Sequence, residues 1–173
     1  MELKTNEVLN YLLAHKDLKI IQRRDMFNFS LDTVLLANFA SITRDTHRII
    51  DLGTNNAAIP LLLSKRTKVP VLGIEIQKEA AELAQRNIAL NHLEDQITIV
   101  CDDMKSYAKS HPKAAKLVIC NPPFFKIDEH SNLNDNEYLR IARHEVKITL
   151  SEIIETARML LEYRGRFPMI HRP

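Results

Sequence analysis

Three features of this sequence predict an α/β fold built on a doubly wound parallel sheet. From Arg48 onward, short β-leaning runs alternate with helical patterns of the length that a crossover between parallel strands needs. Three of those runs are closed by acids: Asp51 at the first, Glu75 at the second and Asp102-Asp103 at the third. The fourth stops at Asn121-Pro122-Pro123, a rigid corner at a strand's carboxyl end, which is where open α/β sheets bind ligands.

The chain opens with an amphipathic pattern, roughly Leu3 to Ala14, whose stripe of Val8, Leu9, Leu12 and Leu13 predicts a helix. Leu18 to Gln22, a charged turn through Arg23-Arg24-Asp25, and Phe27-Asn28-Phe29 predict a short hairpin. A second helix is expected from about Asp32 to Ser41, carrying Val34, Leu35, Leu36 and Phe39, with Ser30 near its start as a cap. Residues 1–45 thus read as a helix, hairpin and helix extension ahead of a core at 46–173.

Within the core, Ile49 to Leu52 reads as a strand and Ala57 to Ser64 as a helix. Val71 to Glu75 is the second strand, and Lys78 to Leu90 the second helix, stopped near Asn91. Ile97 to Val100 follows as a strand, then a short, weakly marked helix around Met104 to Lys109, then the strand Leu117 to Cys120. Thr149-Leu150-Ser151-Glu152 is a capping box that opens a helix with Ile153, Ile154, Ala157, Leu160 and Leu161 inward. Gly165 is expected to end that helix, and Phe167 to Ile170 to form a fifth strand.

With 45% hydrophobic and 27% charged residues over 173 positions, the chain can bury a core and is neither disordered nor membrane-spanning. It has no apolar run long enough to cross a bilayer and no basic-then-apolar leader, so a cytoplasmic protein is expected. A net charge of +2 neither demands nor excludes a nucleic-acid partner. Cys101 and Cys120 lack CxxC spacing, and no His, Asp and Cys cluster has ligand spacing, so no metal is expected.

The chemistry concentrates at Asn121-Pro122-Pro123-Phe124. Two consecutive prolines stop a strand, because neither donates a ladder hydrogen bond and each forces its predecessor out of the helical region. Asn121 supplies a side-chain carbonyl, Pro122 a backbone carbonyl, and Phe124 a flat apolar face. Two acceptors beside an aromatic plane suit a planar substrate carrying an NH2 group. An acid closing the second strand is positioned for both ribose hydroxyls of a nucleoside cofactor, and one closing the third for an adenine amino group. Any one of these acids alone is most often a solvated strand end; three at successive ends, beside the turn at Gly53, point to a cofactor edge.

With these residues in view, the chain resembles a class I S-adenosylmethionine-dependent methyltransferase bearing the Asn-Pro-Pro-Phe signature of amino-group methylation. More narrowly, it resembles the bacterial family that N6-methylates the adenosine beside the anticodon of a valine tRNA. Three stretches carry the narrower resemblance, which spans essentially the whole chain. They are Ile20 to Gln22 with Phe27 to Asp32 and Leu35 to Ala37; Ile59 to Ser64 with Glu75 to Gln77; and Ala142 to Glu145, echoed by His171 to Pro173. The Asn-Pro-Pro motif itself is shared by DNA, RNA and protein-glutamine methyltransferases.

The resemblance implies a Rossmann-like fold and S-adenosyl-L-methionine as cofactor. It implies that Gly53 and Thr54 line the methionine, that Glu75 binds the ribose and Asp103 the adenine, and that Phe29, Ser30 and Asp32 pack over the methionine end. Asp51 and Ile76 belong to the same implied cofactor set. Asn121 and Pro122 would hold the target amine, with Pro123 stiffening the corner and Phe124 stacked on the base. The implied partner is the anticodon stem-loop of a tRNA; for the protein itself the sequence favours a monomer without fixing the oligomeric state. Lys126 to Lys147, with Arg140, Arg143 and His144, is the expected substrate-facing insertion, although its charge alone favours a solvated loop followed by a surface helix.

The sequence departs from the family pattern twice. Where the family continues Gly-Asn-Gly after Gly53-Thr54, this chain has Asn55-Asn56-Ala57; Asn tolerates left-handed dihedrals, whereas Ala57 is penalised if its φ is positive. The family pattern also runs on past Pro173 through a helix and two strands, so an incomplete sheet is expected. Two other readings use the same residues: a protein-glutamine methyltransferase acting on a translation release factor, and a catalytically weakened RNA-binding or scaffold domain.

Overall fold

A computed structural model of the chain describes residues 2–13, 15–122 and 148–171. Its centre is a five-stranded parallel sheet in the spatial order β5-β4-β3-β6-β7. The strands are β3 (Ile49–Leu52), β4 (Val71–Glu75), β5 (Ile97–Cys101), β6 (Ala115–Cys120) and β7 (Leu161–Arg166). Helices α2 (Ala58–Ser64), α3 (Lys78–Leu90), α4 (Met104–Ser110) and α5 (Leu150–Leu160) alternate with them, as the period of the sequence predicts. The chain steps outward from β3 through β4 to β5, then returns to lay β6 on the other side of β3, so the switch point lies between β3 and β6.

Alternation along the strands separates two cores. Ile49, Val71, Ile97, Leu117 and Ile119 pack towards α2, α3 and the preceding α1 (Leu31–Phe39). Ile50, Leu52, Ile74, Val118 and Cys120 pack on the opposite face against Ala108 of α4 and Ile153, Ala157 and Leu160 of α5. Strands buried on both faces explain the near-continuous apolar runs in the sequence. No helix among the described residues is long and apolar enough to cross a membrane.

The N-terminal segment differs from the expected helix. Glu7–Leu12 is a strand, β1, paired antiparallel with β2 (His15–Arg23). Leu9 and Leu13, which a helix would have turned inward, are 41% and 51% exposed. A lone helix of this length is marginal in water, whereas β2 offers a strand edge already anchored to α3. Asn87 holds both the N–H (2.6 Å) and the C=O (3.0 Å) of Ile21, and Asn91 those of Lys19 (2.9 and 2.7 Å). Arg86 then clamps the buried Glu7 at 2.8 Å and holds its carboxyl below the usual range. The predicted hairpin return at Phe27 to Phe29 is also absent: β2 runs unbroken through Arg23 and, among the described residues, pairs only with β1.

The last strand lies earlier than expected. The capping box forms, with Thr149 Oγ1 accepting from the Glu152 N–H (3.2 Å) and Glu152 Oε2 accepting from the Thr149 N–H (2.8 Å). The helix ends at Leu160, however, and β7 begins at once, leaving only Met169 of the predicted Phe167–Ile170 strand bridged to Cys120. Gly165 therefore sits in a strand bulge instead of a helix cap: β6 advances from Ala115 to Leu117 while β7 advances from Leu161 to Arg166. A Cβ at Gly165 would come within 2.7 Å of Leu161 and 2.9 Å of the Glu162 carbonyl, so a side chain there could not follow this path.

Candidate functional site

Parallel register sets the order of the site. Leu52 stands opposite Cys120 in β6 and Ile74 in β4, and Glu75 opposite Cys101 in β5. The next residues along each strand therefore leave the sheet side by side, giving a row that runs Asn121, Gly53, Glu75 and then Asp102-Asp103. At the ordinary strand spacing this row is about 14 Å long. That is the span of a small nucleoside cofactor with an acceptor group at one end.

The turn after β3 is strained and tied down. Gly53, Asn55 and Ala57 all have positive φ (67°, 49° and 66°). Ala57, the position where the sequence predicts a penalty, pays it as the left-handed N-cap of α2. The N–H groups of Gly53 and Thr54 both donate to the Ile74 carbonyl (2.9 and 3.0 Å). Asn55 is fastened from two sides: its N–H donates to Glu75 Oε2 at 2.8 Å, and its side-chain amide donates to the Phe27 carbonyl at 2.6 Å. Gly53 itself is exposed, and a Cβ on it would meet nothing nearer than Met104 Cε at 3.9 Å, so a ligand can approach this backbone closely.

Beneath the turn lies Asp51, 1% exposed, with Oδ2 accepting from the Thr54 hydroxyl at 2.6 Å. Burial, partly countered by that bond and reinforced by the charge of Glu75, pushes its carboxyl up to about 7. Gly73 makes the room: a Cβ there would come within 2.7 Å of Ile99 and 2.8 Å of Thr54. Glu75 is buried as well and its carboxyl is raised by that burial, while its two oxygens accept from the N–H groups of Gln77 (2.9 Å) and Asn55 (2.8 Å). Asp103 caps α4, accepting from the Ser106 N–H at 2.8 Å.

At the β6 end, Asn121 donates its side-chain amide to Thr33 Oγ1 at 3.1 Å. Its carbonyl oxygen is buried. Among the described residues, Asn121 Oδ1 and Asp51 Oδ1 are the two buried side-chain oxygens without a hydrogen-bond partner. Unsatisfied buried acceptors are rare and costly. Both stand at the carboxyl edge of the sheet, one at the acceptor end of the row and one under the turn. These features fit S-adenosylmethionine: an Asp51 carboxyl oxygen without a partner under the turn for an ammonium group, an exposed glycine backbone for the methionine chain, and a carboxyl at the second strand end for ribose hydroxyls. The neighbouring Cys120 thiol is buried and pushed up by that burial, so it offers no nucleophile.

Of the other residues expected at the site, Phe29 is partly buried against the first core, Ser30 is the N-cap of α1, Asp32 lies in that helix's first turn, and Ile76 is 45% exposed beside Glu75. Pro122 is buried; Pro123, Phe124 and the segment from Lys126 to Lys147 lie outside the described residues. Thr33, Met104, Gly73 and the Asn55 clasp on Phe27 were not evident from the sequence. Each depends on a contact between segments far apart in the chain.

The family described as Methyltransferase small domain matches residues 30–172. Among curated proteins, the tRNA1(Val) (adenine(37)-N6)-methyltransferase of Tolumonas auensis is 26% identical over 157 residues, covering 90% of this chain and 63% of that protein. Its counterpart in Bacteroides thetaiotaomicron is 30% identical over 141 residues, covering 80% and 57%. The chain thus spans less than two thirds of the length of these relatives. Among solved structures, a SAM-dependent methyltransferase from Thiobacillus denitrificans in complex with S-adenosyl-L-homocysteine shares the fold, with a TM-score of 0.59 at 14% identity over 84% of this chain and 50% of that one.

Proposed function

Because this chain belongs to the methyltransferase small-domain family, we propose that it transfers a methyl group from S-adenosylmethionine to the exocyclic N6 amine of an adenosine in tRNA, beside the anticodon of a valine tRNA. The observation that carries the reading is the buried, unpartnered Asn121 carbonyl oxygen standing next to the Gly53 turn. An amide oxygen held in that state is an acceptor lacking only an N–H donor, and an adenine N6 amine supplies one. The tRNA substrate follows the names of the curated relatives.

Bound at the edge of the sheet, S-adenosylmethionine supplies an electrophilic methyl group on a sulfonium. The protein's own residues then bind and orient. Glu75 would accept hydrogen bonds from the ribose hydroxyls and Asp103 from the adenine amine, and Asp51 would offer its carboxyl to the cofactor's ammonium. Ser30, Asp32 and Phe29, at the start of α1, would pack on the methionine end. An exocyclic adenine nitrogen is a weak nucleophile because its lone pair is delocalised into the ring. Asn121 Oδ1 and the Pro122 carbonyl, accepting its two hydrogens, favour a more tetrahedral nitrogen and aim the lone pair at the methyl group, so positioning supplies most of the rate. An anticodon-loop base is already unpaired, which makes its entry inexpensive.

The test is tritiated methyl incorporation into unmodified bulk tRNA and, separately, into translation release factors, by this chain and by a longer version spanning the full length of its relatives. Label recovered as N6-methyladenosine, reduced about a hundredfold or more in Asn121→Ala with cofactor affinity retained, is the expected result. Label found only in protein as methylglutamine would replace the RNA substrate with an amide side chain. N6-methyladenosine formed at an undiminished rate by Asn121→Ala would refute the role of the corner.

A further inference from the structure

We infer that Thr33 is a positioning residue for Asn121, setting which end of its side-chain amide faces the methyl acceptor; the inference rests on the amine-methylation reading above. Asn121 follows the last residue of β6 and precedes a proline, so the backbone around it is fixed, but its amide can still rotate about the last side-chain bond. The two orientations are chemically opposite. With oxygen outward the residue accepts a hydrogen from an incoming amine; with nitrogen outward it would donate, compete for the nucleophilic lone pair and oppose the reaction.

In the structure the Thr33 hydroxyl holds the first orientation. Thr33 lies in the first turn of α1 and is 5% exposed. Its Oγ1 already accepts from the Ser30 N–H at 3.2 Å and accepts from Asn121 Nδ2 at 3.1 Å. A hydroxyl oxygen has two lone pairs, and these two donors use both. The amide nitrogen is thereby turned back towards the helix, and the carbonyl oxygen is left buried without a partner. A bond between residues 88 positions apart also ties the helix start, where Ser30 and Asp32 lie, to the acceptor corner. One side chain thus joins the start of α1 to the acceptor corner.

Two measurements test this. The first needs no substrate: in a 15N-labelled sample, the Asn121 side-chain NH2 signals, assigned by their loss in Asn121→Asp, are expected to be well separated, with one proton slow to exchange. Thr33→Ser should preserve that pattern and Thr33→Val, which keeps the shape but removes the hydroxyl, should collapse it. Freely exchanging, unresolved signals in the unaltered protein would overturn the proposal even if Thr33→Val did not fold. The second is single-turnover methyl transfer to tRNA at saturating cofactor. Thr33→Val should be slowed about tenfold or more, Thr33→Ser should recover most of the rate, and Thr33→Val added to Asn121→Ala should change it less than twofold. A Thr33→Val effect as large without the Asn121 side chain as with it would show that Thr33 acts elsewhere. If the unaltered protein methylated no tRNA while the NH2 signals behaved as expected, the substrate reading would fail and the positioning role would stand.

Discussion

The side-chain amide of Asn55 donates to the carbonyl of Phe27 at 2.6 Å, joining the turn after the first core strand to the segment that leads into α1. An asparagine in a position where a glycine would serve the backbone is thereby doing two things: it tolerates a φ of 49° and it fastens the turn to the segment before α1.

Substitutions in this turn should therefore move stability in opposite directions. Ala57→Gly removes a side chain from a left-handed residue and should stabilise the fold by roughly 0.5–1 kcal/mol. Asn55→Gly relieves less strain, loses the bond to Phe27 and should destabilise by about 1 kcal/mol. Urea unfolding of the two variants decides it; stabilisation by Asn55→Gly would mean that the Phe27 bond contributes nothing.

Glu75 should matter to the cofactor and to the turn together, because its oxygens accept from Asn55 and Gln77 and each keeps a further lone pair. Glu75→Ala is expected to weaken S-adenosylmethionine binding by roughly 1.5–3 kcal/mol by calorimetry. Equal affinity in variant and parent, with the fold intact by circular dichroism, would remove Glu75 from the site.

Asp51 should make stability fall as pH rises. Its carboxyl is pushed up to about 7 in the folded chain from an ordinary 3.8, so the native state holds the proton more tightly than the unfolded one. The contribution is complete below about pH 4 and is lost as pH climbs through about 7, to a limit of roughly 4 kcal/mol. Denaturant midpoints measured from pH 4 to 8 should show this slope in the parent and a flatter one in Asp51→Asn. Cofactor binding should also release protons near pH 7, read from calorimetry in buffers of different ionisation enthalpy, because an ammonium beside Asp51 favours its charged form. No difference between buffers would separate Asp51 from the ammonium.

Gly73 should not accept alanine. The added methyl would press on Thr54 at 2.8 Å, and Thr54 holds Asp51. A loss of about 1–3 kcal/mol in stability is expected, accompanied by weaker cofactor binding. A variant with parental stability and parental affinity would show that the turn has slack.

The sequence by itself determined the parallel core. Strands buried on both faces need continuous apolar runs, crossovers need helical periods between them, and both are written locally in Ile49 to Leu52, Val71 to Glu75, Lys78 to Leu90 and Leu117 to Cys120. That Asp51, Glu75, Asp103 and Asn121 lie along one edge was legible for the same reason, since a parallel sheet gathers all its carboxyl ends there. The capping box at Thr149 and Glu152 was equally local. The tertiary structure decided what local pattern leaves ambiguous. Val8, Leu9, Leu12 and Leu13 satisfy a helical stripe, but the segment pairs with a strand that Asn87 and Asn91 hold from 66 and 72 residues away. Gly165 looks like a helix cap until packing ends the helix at Leu160 and requires a bulge. The orientation of Asn121 depends on Thr33, 88 residues earlier. Nothing in either neighbourhood encodes that bond, because a hydrogen bond between distant segments exists only once packing has brought donor and acceptor together.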